Sequence, residues 1–350
     1  MPTINKGDKV LVSGANGYIA MWIVRTLLER GYSVRGTVRN EVKAEFMKAY
    51  FSGLGFGDNF ETVVVDDIEK EGAFDEAVKG VDAIEHTASP FHPRAKTADE
   101  FIQPAVRGTL GMLASALKNG SQLKRVVVTS SCAAVMMPPP SPKVFTEKDW
   151  NLEAPKAIEE QGDKAPPMTI YRASKTLAER SAWDFVEKHK SEIKWDLSVI
   201  NPPFVFGPPI HDVNSISSLN TSVQLWIDMV TSTTPKSAQA LLDSNAWVDV
   251  RDVALAHVLA LEVDAAGGER VVVAEGSWIW QEWLDIANSL PSNPFSTHPL
   301  YKGEPDLLKD EKKYLISYDT CKEHSIFGIK FHTKLETTKD TLEDFAKRGW

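Results

Sequence analysis

Along the chain, short runs of β-branched and aliphatic residues alternate with longer stretches whose apolar positions recur at helical spacing. That alternation predicts parallel strands joined by crossover helices, an α/β fold built on a doubly wound sheet. The strand runs fall at 10–13, 33–38, 62–65, 83–86, 125–129 and 197–200. Runs such as Val126-Val127-Val128 lack polar alternation, as strands covered by helices on both faces do. Over 176–190, Leu177, Ala178, Ala182, Phe185 and Val186 mark one buried helical face. After Asn201 the pattern loosens, because Pro202, Pro203, Pro208 and Pro209 break regular elements. Two later strand-like runs, 246–250 and 269–274, flank a helical segment at 252–261, so the sheet is expected to extend after an excursion. The organisation is discontinuous: a sheet domain from 5–203 and 243–275, and a smaller lobe from 204–242 and 276–350. The proline-rich tract 138–142 reads as a stiff surface loop.

Composition narrows the function classes. Of 350 residues, 43% are hydrophobic and 25% charged, the balance of a globular protein. A net charge of -9 leaves no basic field for nucleic-acid phosphates. Cys132 and Cys321 form neither a disulfide framework nor a zinc-ligand spacing, which points to a reducing compartment and no metal. The first residues lack an apolar signal, and no run approaches the ~20 apolar residues that span a bilayer. The expectation is a cytoplasmic protein with no membrane or nucleic-acid partner.

The first strand runs into Gly14-Ala15-Asn16-Gly17-Tyr18-Ile19-Ala20 and then into a helical stretch. Gly14 and Gly17 allow a tight turn and close backbone approach to a pyrophosphate, and the helix N-terminus offers free N–H groups. Ala20 is small enough for the helix to pack on the strand. Such a turn by itself is as often ligand-free, but its place at the head of a βαβ series gives it meaning. The second strand ends in Arg39 where an acid would mark NAD, and Lys43 follows one turn on. Both cations suit a 2′-phosphate and hence NADP, against the bland reading of two solvated surface charges. Asp67 and Ile68, after the third strand, would border the adenine.

Tyr171 and Lys175 stand four apart at the start of a helical stretch, on one face. A nearby ammonium lowers a phenol from its usual value near ~10, so this pair reads as a tuned proton donor, with Lys175 also holding the nicotinamide ribose. Ser131 follows the fifth strand at the carboxyl edge of the sheet, where it would orient a substrate carbonyl for hydride delivery. Tyr318 and Lys322 repeat the spacing, but no sheet-edge serine precedes them, and they read as a surface pair on a helix. His86 and His92 suit no metal motif. Cys132 lacks the histidine of a nucleophile pair and reads as a small pocket-lining residue. Trp278, Trp280 and Trp283 read as core.

With these residues in place, the chain resembles the extended short-chain dehydrogenase/reductases, and within them the yeast methylglyoxal and aldehyde reductases related to plant dihydroflavonol reductase. The resemblance covers nearly the whole chain. It rests on 13–20, His86-Thr87-Ala88-Ser89-Pro90-Phe91, Thr129-Ser130-Ser131, Tyr171-Arg172-Ala173-Ser174-Lys175, 201–208 and 248–254 in that order. It implies a Rossmann domain with a smaller C-terminal substrate lobe. It implies NADPH contacts at Gly14, Ala15, Asn16, Gly17, Tyr18, Ile19, Arg39, Lys43, Asp67, Ile68, Tyr171, Lys175, Val205 and Ser222, and catalysis by Ser131, Tyr171 and Lys175. The activity implied is NADPH-dependent reduction of a small aldehyde or ketone by a monomer or homodimer. The pocket is expected to be lined by Phe91, Cys132, Met136 and Phe204, with Trp226 from the lobe, and to favour apolar or aromatic substituents. Rival readings are a nucleotide-sugar epimerase or dehydratase of the same fold, and a non-catalytic NADP sensor.

Overall fold

The computed structural model describes residues 3–89, 97–309 and 312–350. Its strands are β1 (Lys9–Ser13), β2 (Ser33–Val38), β3 (Phe60–Val64), β4 (Ala83–His86), β5 (Arg125–Thr129), β6 (Lys143–Phe145), β7 (Asp196–Asn201), β8 (Phe204–Phe206), β9 (Ser244–Asp249), β10 (Arg270–Val272), β11 (Gly276–Ile279) and β12 (Ile316–Tyr318). The helices are α1 (Tyr18–Glu29), α2 (Glu41–Gly53), α3 (Asp99–Asn119), α4 (Glu153–Gln161), α5 (Pro167–Lys188), α6 (Thr221–Val230), α7 (Ala238–Leu241), α8 (Val250–Glu262), α9 (Trp280–Ser289), α10 (Cys321–Ile326) and α11 (Lys334–Lys347).

The main sheet has seven strands in the order β10-β7-β5-β4-β1-β2-β3, and every pairing in it is parallel. This is the doubly wound α/β fold expected. The direction of winding reverses between β1 and β4, which opens a crevice at their carboxyl ends. Side chains along each strand leave alternately for the two faces. Val10, Val12, Val127 and Ile200 enter a core shared with α1 and α8, while Leu11, Val126, Val128, Leu197 and Val199 enter a second core with α3 and α5. The two-sided burial is why these runs showed no polar alternation.

Of the two late strand runs, only β10 joins the main sheet, beside β7. The earlier one, β9, pairs with β8 and β11 in a separate three-stranded sheet. Hydrophobicity marks a strand but not its partner, and the turn at Pro202-Pro203 has already carried β8 out of the main sheet. Around β8 and β9 an aromatic core of Phe206, Trp226, Trp247, Trp278, Trp280 and Trp283 fills the lobe. A further parallel pair, β6 with β12, joins the segment after the proline tract to the C-terminal region.

At the opposite edge of the sheet from the crevice, a buried cation ties β5, β7 and α8 together. The Arg125 guanidinium forks onto Asp196 at 2.5 and 2.9 Å. It also donates to the carbonyls of Ala260, Val263 and Asp264, where α8 ends and needs acceptors satisfied. Arg125→Met leaves Asp196 and these carbonyls without their donor and should cost about 3–5 kcal/mol in denaturant unfolding. Lys9→Met, which removes an exposed pair with Glu61, should cost under ~1 kcal/mol in the same measurement.

Candidate active site

The glycine turn lies where β1 meets the crevice. Gly14 has φ +61°, and a Cβ there would sit 3.0 Å from Ala88 Cα, so this position needs glycine both for its backbone and for its neighbour. The turn is held from two sides. Thr37 on β2 accepts from the Gly14 amide at 3.1 Å through its hydroxyl and from the Ala15 amide at 2.9 Å through its carbonyl. The amides of Thr87 and Ala88 both donate to Ser13 Oγ at 3.1 Å, so that hydroxyl gives its own proton to His86 Nδ1 at 2.9 Å. Burial lowers His86 to about 3, which keeps the imidazole neutral with its proton on Nε2. His92 lies outside the described residues.

Helix α1 starts from this turn with no side chain capping its amides and no acid in its first turn. By contrast α2 is capped by Asn40, and α11 by a Thr333–Glu336 box. An uncapped, acid-free helix start behind a glycine turn fits the pyrophosphate of a dinucleotide. Asn16 and Ile19 are partly exposed here, whereas the Tyr18 ring is buried and donates to the Gly207 carbonyl at 2.9 Å. Arg39 is exposed just past β2, and no described carboxylate pairs with it. Lys43, in the first turn of α2, is bound to Asp212 at 2.8 Å, so a phosphate would have to take it from that partner. Asp67 is exposed, and Ile68 packs where a Cβ on Gly108 would come within 2.8 Å of it. Val205 is buried on β8, and Ser222 lies half-buried in the first turn of α6.

Tyr171, Lys175 and Glu179 recur at one-turn intervals and share one face of α5. Ser131 is brought to them because the chain beyond β5 keeps following β7: the Ser130 amide donates to Ile200 and the Cys132 amide to Pro202. Ser131 Oγ accepts from the Ala133 amide at 3.1 Å and is hydrogen-bonded to the Tyr171 phenol. Lys175 Nζ donates to Ser89 Oγ at 3.1 Å, and burial lowers its pKa to about 8 against the opposing pull of Glu179. One expectation is corrected here. Burial raises the Tyr171 phenol, and the groups that lower it are the Ser131 hydrogen bond and Arg172, not Lys175. Arg172 gave no signal in the sequence beyond its place between motif residues.

Beneath these side chains, Glu179 is 1% exposed and collects four donors: Ser130 Oγ at 2.6 Å, Asn201 Nδ2 at 2.8 Å, Arg270 Nε at 2.7 Å and, more weakly, Trp183 Nε1 at 3.4 Å. Arg270 also donates to the Glu147 and Asp149 carbonyls and stacks 3.7 Å over Trp150. Glu179 lies two turns from Tyr171 on the face already assigned to the site, and that spacing was the signal available for it.

The expected pocket wall is partly redrawn. Phe91 lies outside the described residues. Cys132 is 2% exposed, donates to the Asn201 carbonyl at 3.3 Å, and clusters with Met136, Phe145, Val272 and Ile316 behind the site. Its thiol is pushed up by burial, as befits a residue that is no nucleophile. Trp226 is 1% exposed and meets Trp283 edge-on, so it belongs to the core of the lobe and not to a pocket wall. Phe204 is half-buried against Trp278 and keeps some surface free. Tyr318 is neither on a helix nor a surface residue: it ends β12, packs on Phe145 at 6.1 Å and has a buried hydroxyl beside Cys132. Lys322, on α10, pairs with Glu269 at 2.6 Å and caps the Arg270 carbonyl.

Residues 10–274 match the NAD dependent epimerase/dehydratase family. The chain is 36% identical to the ketoreductase azaE of Aspergillus niger, covering 92% of this chain and 93% of that one. It is 35% identical to the NADPH-dependent methylglyoxal reductase GRE2 of Saccharomyces cerevisiae, covering 97% and 98%. The solved structure of yeast methylglyoxal/isovaleraldehyde reductase Gre2 complexed with NADPH superposes with a TM-score of 0.84 at 32% identity, covering 97% of this chain and 98% of that one. With the crevice, the glycine turn and the family match over most of its length, the chain belongs to the NAD dependent epimerase/dehydratase family, the extended short-chain dehydrogenase/reductases.

Proposed function

We propose that this chain is an NADPH-dependent carbonyl reductase that converts aldehydes or ketones to alcohols. The observation that carries the reading is the Ser131–Tyr171 hydrogen bond, set at the carboxyl edge of the sheet with Lys175 and the glycine turn beside it. The relatives named as NADPH-dependent reductase and ketoreductase support it. The main sheet domain would hold the cofactor and the C-terminal lobe would close over a small-molecule substrate. In this reading the enzyme works in the cytoplasm as a monomer or homodimer; among the described residues no helix is long and apolar enough to cross a membrane.

NADPH, when bound, supplies the hydride. Gly14 to Ile19 would hold its pyrophosphate, and Arg39 and Lys43 its 2′-phosphate. Ser131 Oγ turns the substrate carbonyl oxygen toward the Tyr171 phenol, at the hydrogen bond the two side chains now share. Tyr171 Oη delivers the proton to the oxygen as it becomes an alkoxide, and Ser131 stabilises the developing charge. Lys175, which burial lowers to about 8, would hold the nicotinamide ribose beside the phenol. An epimerase would use the same triad on a nucleotide sugar, and a sensor would bind NADPH without turning it over. NADPH oxidation against aldehydes, ketones and a nucleotide sugar separates these readings.

Tyr171→Phe should keep NADPH affinity, measured by fluorescence titration, and lose turnover by orders of magnitude, since only the proton donor is removed. An active phenylalanine variant would remove Tyr171 from the chemistry. Arg39→Asp should shift the ratio of kcat/KM for NADPH over NADH by roughly tenfold to a hundredfold toward NADH, because a carboxylate repels the 2′-phosphate and accepts from a free 2′-OH. An unchanged ratio at fixed ionic strength would leave Arg39 as surface charge alone.

A further inference from the structure

Two side chains next to the proton donor have no substrate contact assigned above, although the charge of one of them, Arg172, lowers the Tyr171 phenol. Arg172 follows Tyr171 in α5 and is half-buried, yet no described carboxylate pairs with it. Other guanidiniums shielded from solvent all have acids: Arg125 has Asp196, Arg251 has Asp249 and Asp340, and Arg270 has Glu179. The titratable neighbours that act on Arg172 are the neutral phenols of Tyr171 and Tyr318, and Tyr318 packs on the cluster of Cys132, whose 132–134 turn lies against α5. Tyr318 is delivered to the same place by the β6–β12 pairing, which sets it opposite Phe145. Its Oη is buried without a hydrogen-bond partner among the described residues, and the Cys132 thiol beside it is committed to the Asn201 carbonyl.

A shielded cation without a counter-ion is costly, and so is a buried hydroxyl without an acceptor. Both are relieved by one ligand that brings oxygen acceptors and negative charge. We propose that Arg172 and Tyr318 form a subsite for a carboxylate on the substrate, so that oxo acids are the carbonyl compounds this enzyme reduces best. The proposal rests on the reductase reading above. A planar guanidinium receives a carboxylate in fork geometry, and a phenol O–H adds a third donor on the side toward Cys132. The chain's net charge of -9 gives no general attraction for anions, so recognition depends on these local donors.

The test is steady-state kinetics with the full chain and NADPH, comparing 2-oxo and 3-oxo acids with their methyl esters and with neutral aldehydes. The acids should have the higher kcat/KM, and the advantage should lie mainly in KM, because the carboxylate is bound alike before and during hydride transfer. Arg172→Met should lower the acid-to-ester ratio by roughly tenfold to a hundredfold, with Arg172→Lys restoring part of it. Tyr318→Phe, which keeps the ring packing, should lower the same ratio by about several-fold. A wild type that reduces esters and aldehydes but not acids overturns the subsite and leaves the reductase reading standing. So does a set of variants that lowers acid and ester alike or leaves their ratio unchanged. A wild type that reduces none of the three classes overturns the reductase reading and the subsite with it.

Discussion

The geometry of the site depends on one buried carboxylate. Glu179 accepts from Ser130, Asn201 and Arg270, so a single side chain on α5 is fixed to the ends of β5 and β7 and to the start of β10. Ser131 is the next residue after one of its donors, and Lys175 and Tyr171 lie one and two turns before it. The separation between the serine hydroxyl and the phenol is therefore set by hydrogen bonds beneath them as well as by their own contact. Burying a carboxylate and a guanidinium together is not a strong source of stability. What the pair provides is register: α5 cannot slide along the sheet without leaving Arg270 and Glu179 unmatched in a place water does not reach.

Electrostatics inside the crevice follow from the same enclosure. Burial makes every charge here expensive, which is why His86 is neutral and Lys175 is drawn down to about 8. It also raises the Tyr171 phenol, so two groups that are nearly matched in water are driven apart, the proton held more tightly on Tyr171 and more loosely on Lys175. The Ser131 hydrogen bond and the Arg172 charge work against the burial of the phenol and keep it from becoming inert.

How much of this was legible in the sequence depended on how local each signal was. The glycine turn, the six main strands and the Ser131, Tyr171, Lys175 set were readable because each is written in adjacent residues or at one helical spacing. The β6–β12 pair was not, since three-residue strands more than 170 residues apart carry no periodicity of their own. Missing that pair is what put Tyr318 on a helix: its spacing to Lys322 is helical, but the chain changes from β12 to α10 between them. Trp226 shows the complementary limit, because residue type and position suggested a pocket contact while a partner far along the chain, Trp283, had already claimed the side chain.

The outer strand β10 bears on how the molecule behaves in a crowded solution. An open sheet ends in a row of backbone groups that another chain could pair with, the usual seed of edge-to-edge aggregation. Here that edge is only three residues long. Its first residue turns a charged side chain inward to Glu179, and the carbonyl of the same residue is taken by Lys322 from α10. The arginine that sets the register of the active-site helix thus also ends the sheet, and a chain that lost it would expose a sticky margin along with a misplaced serine.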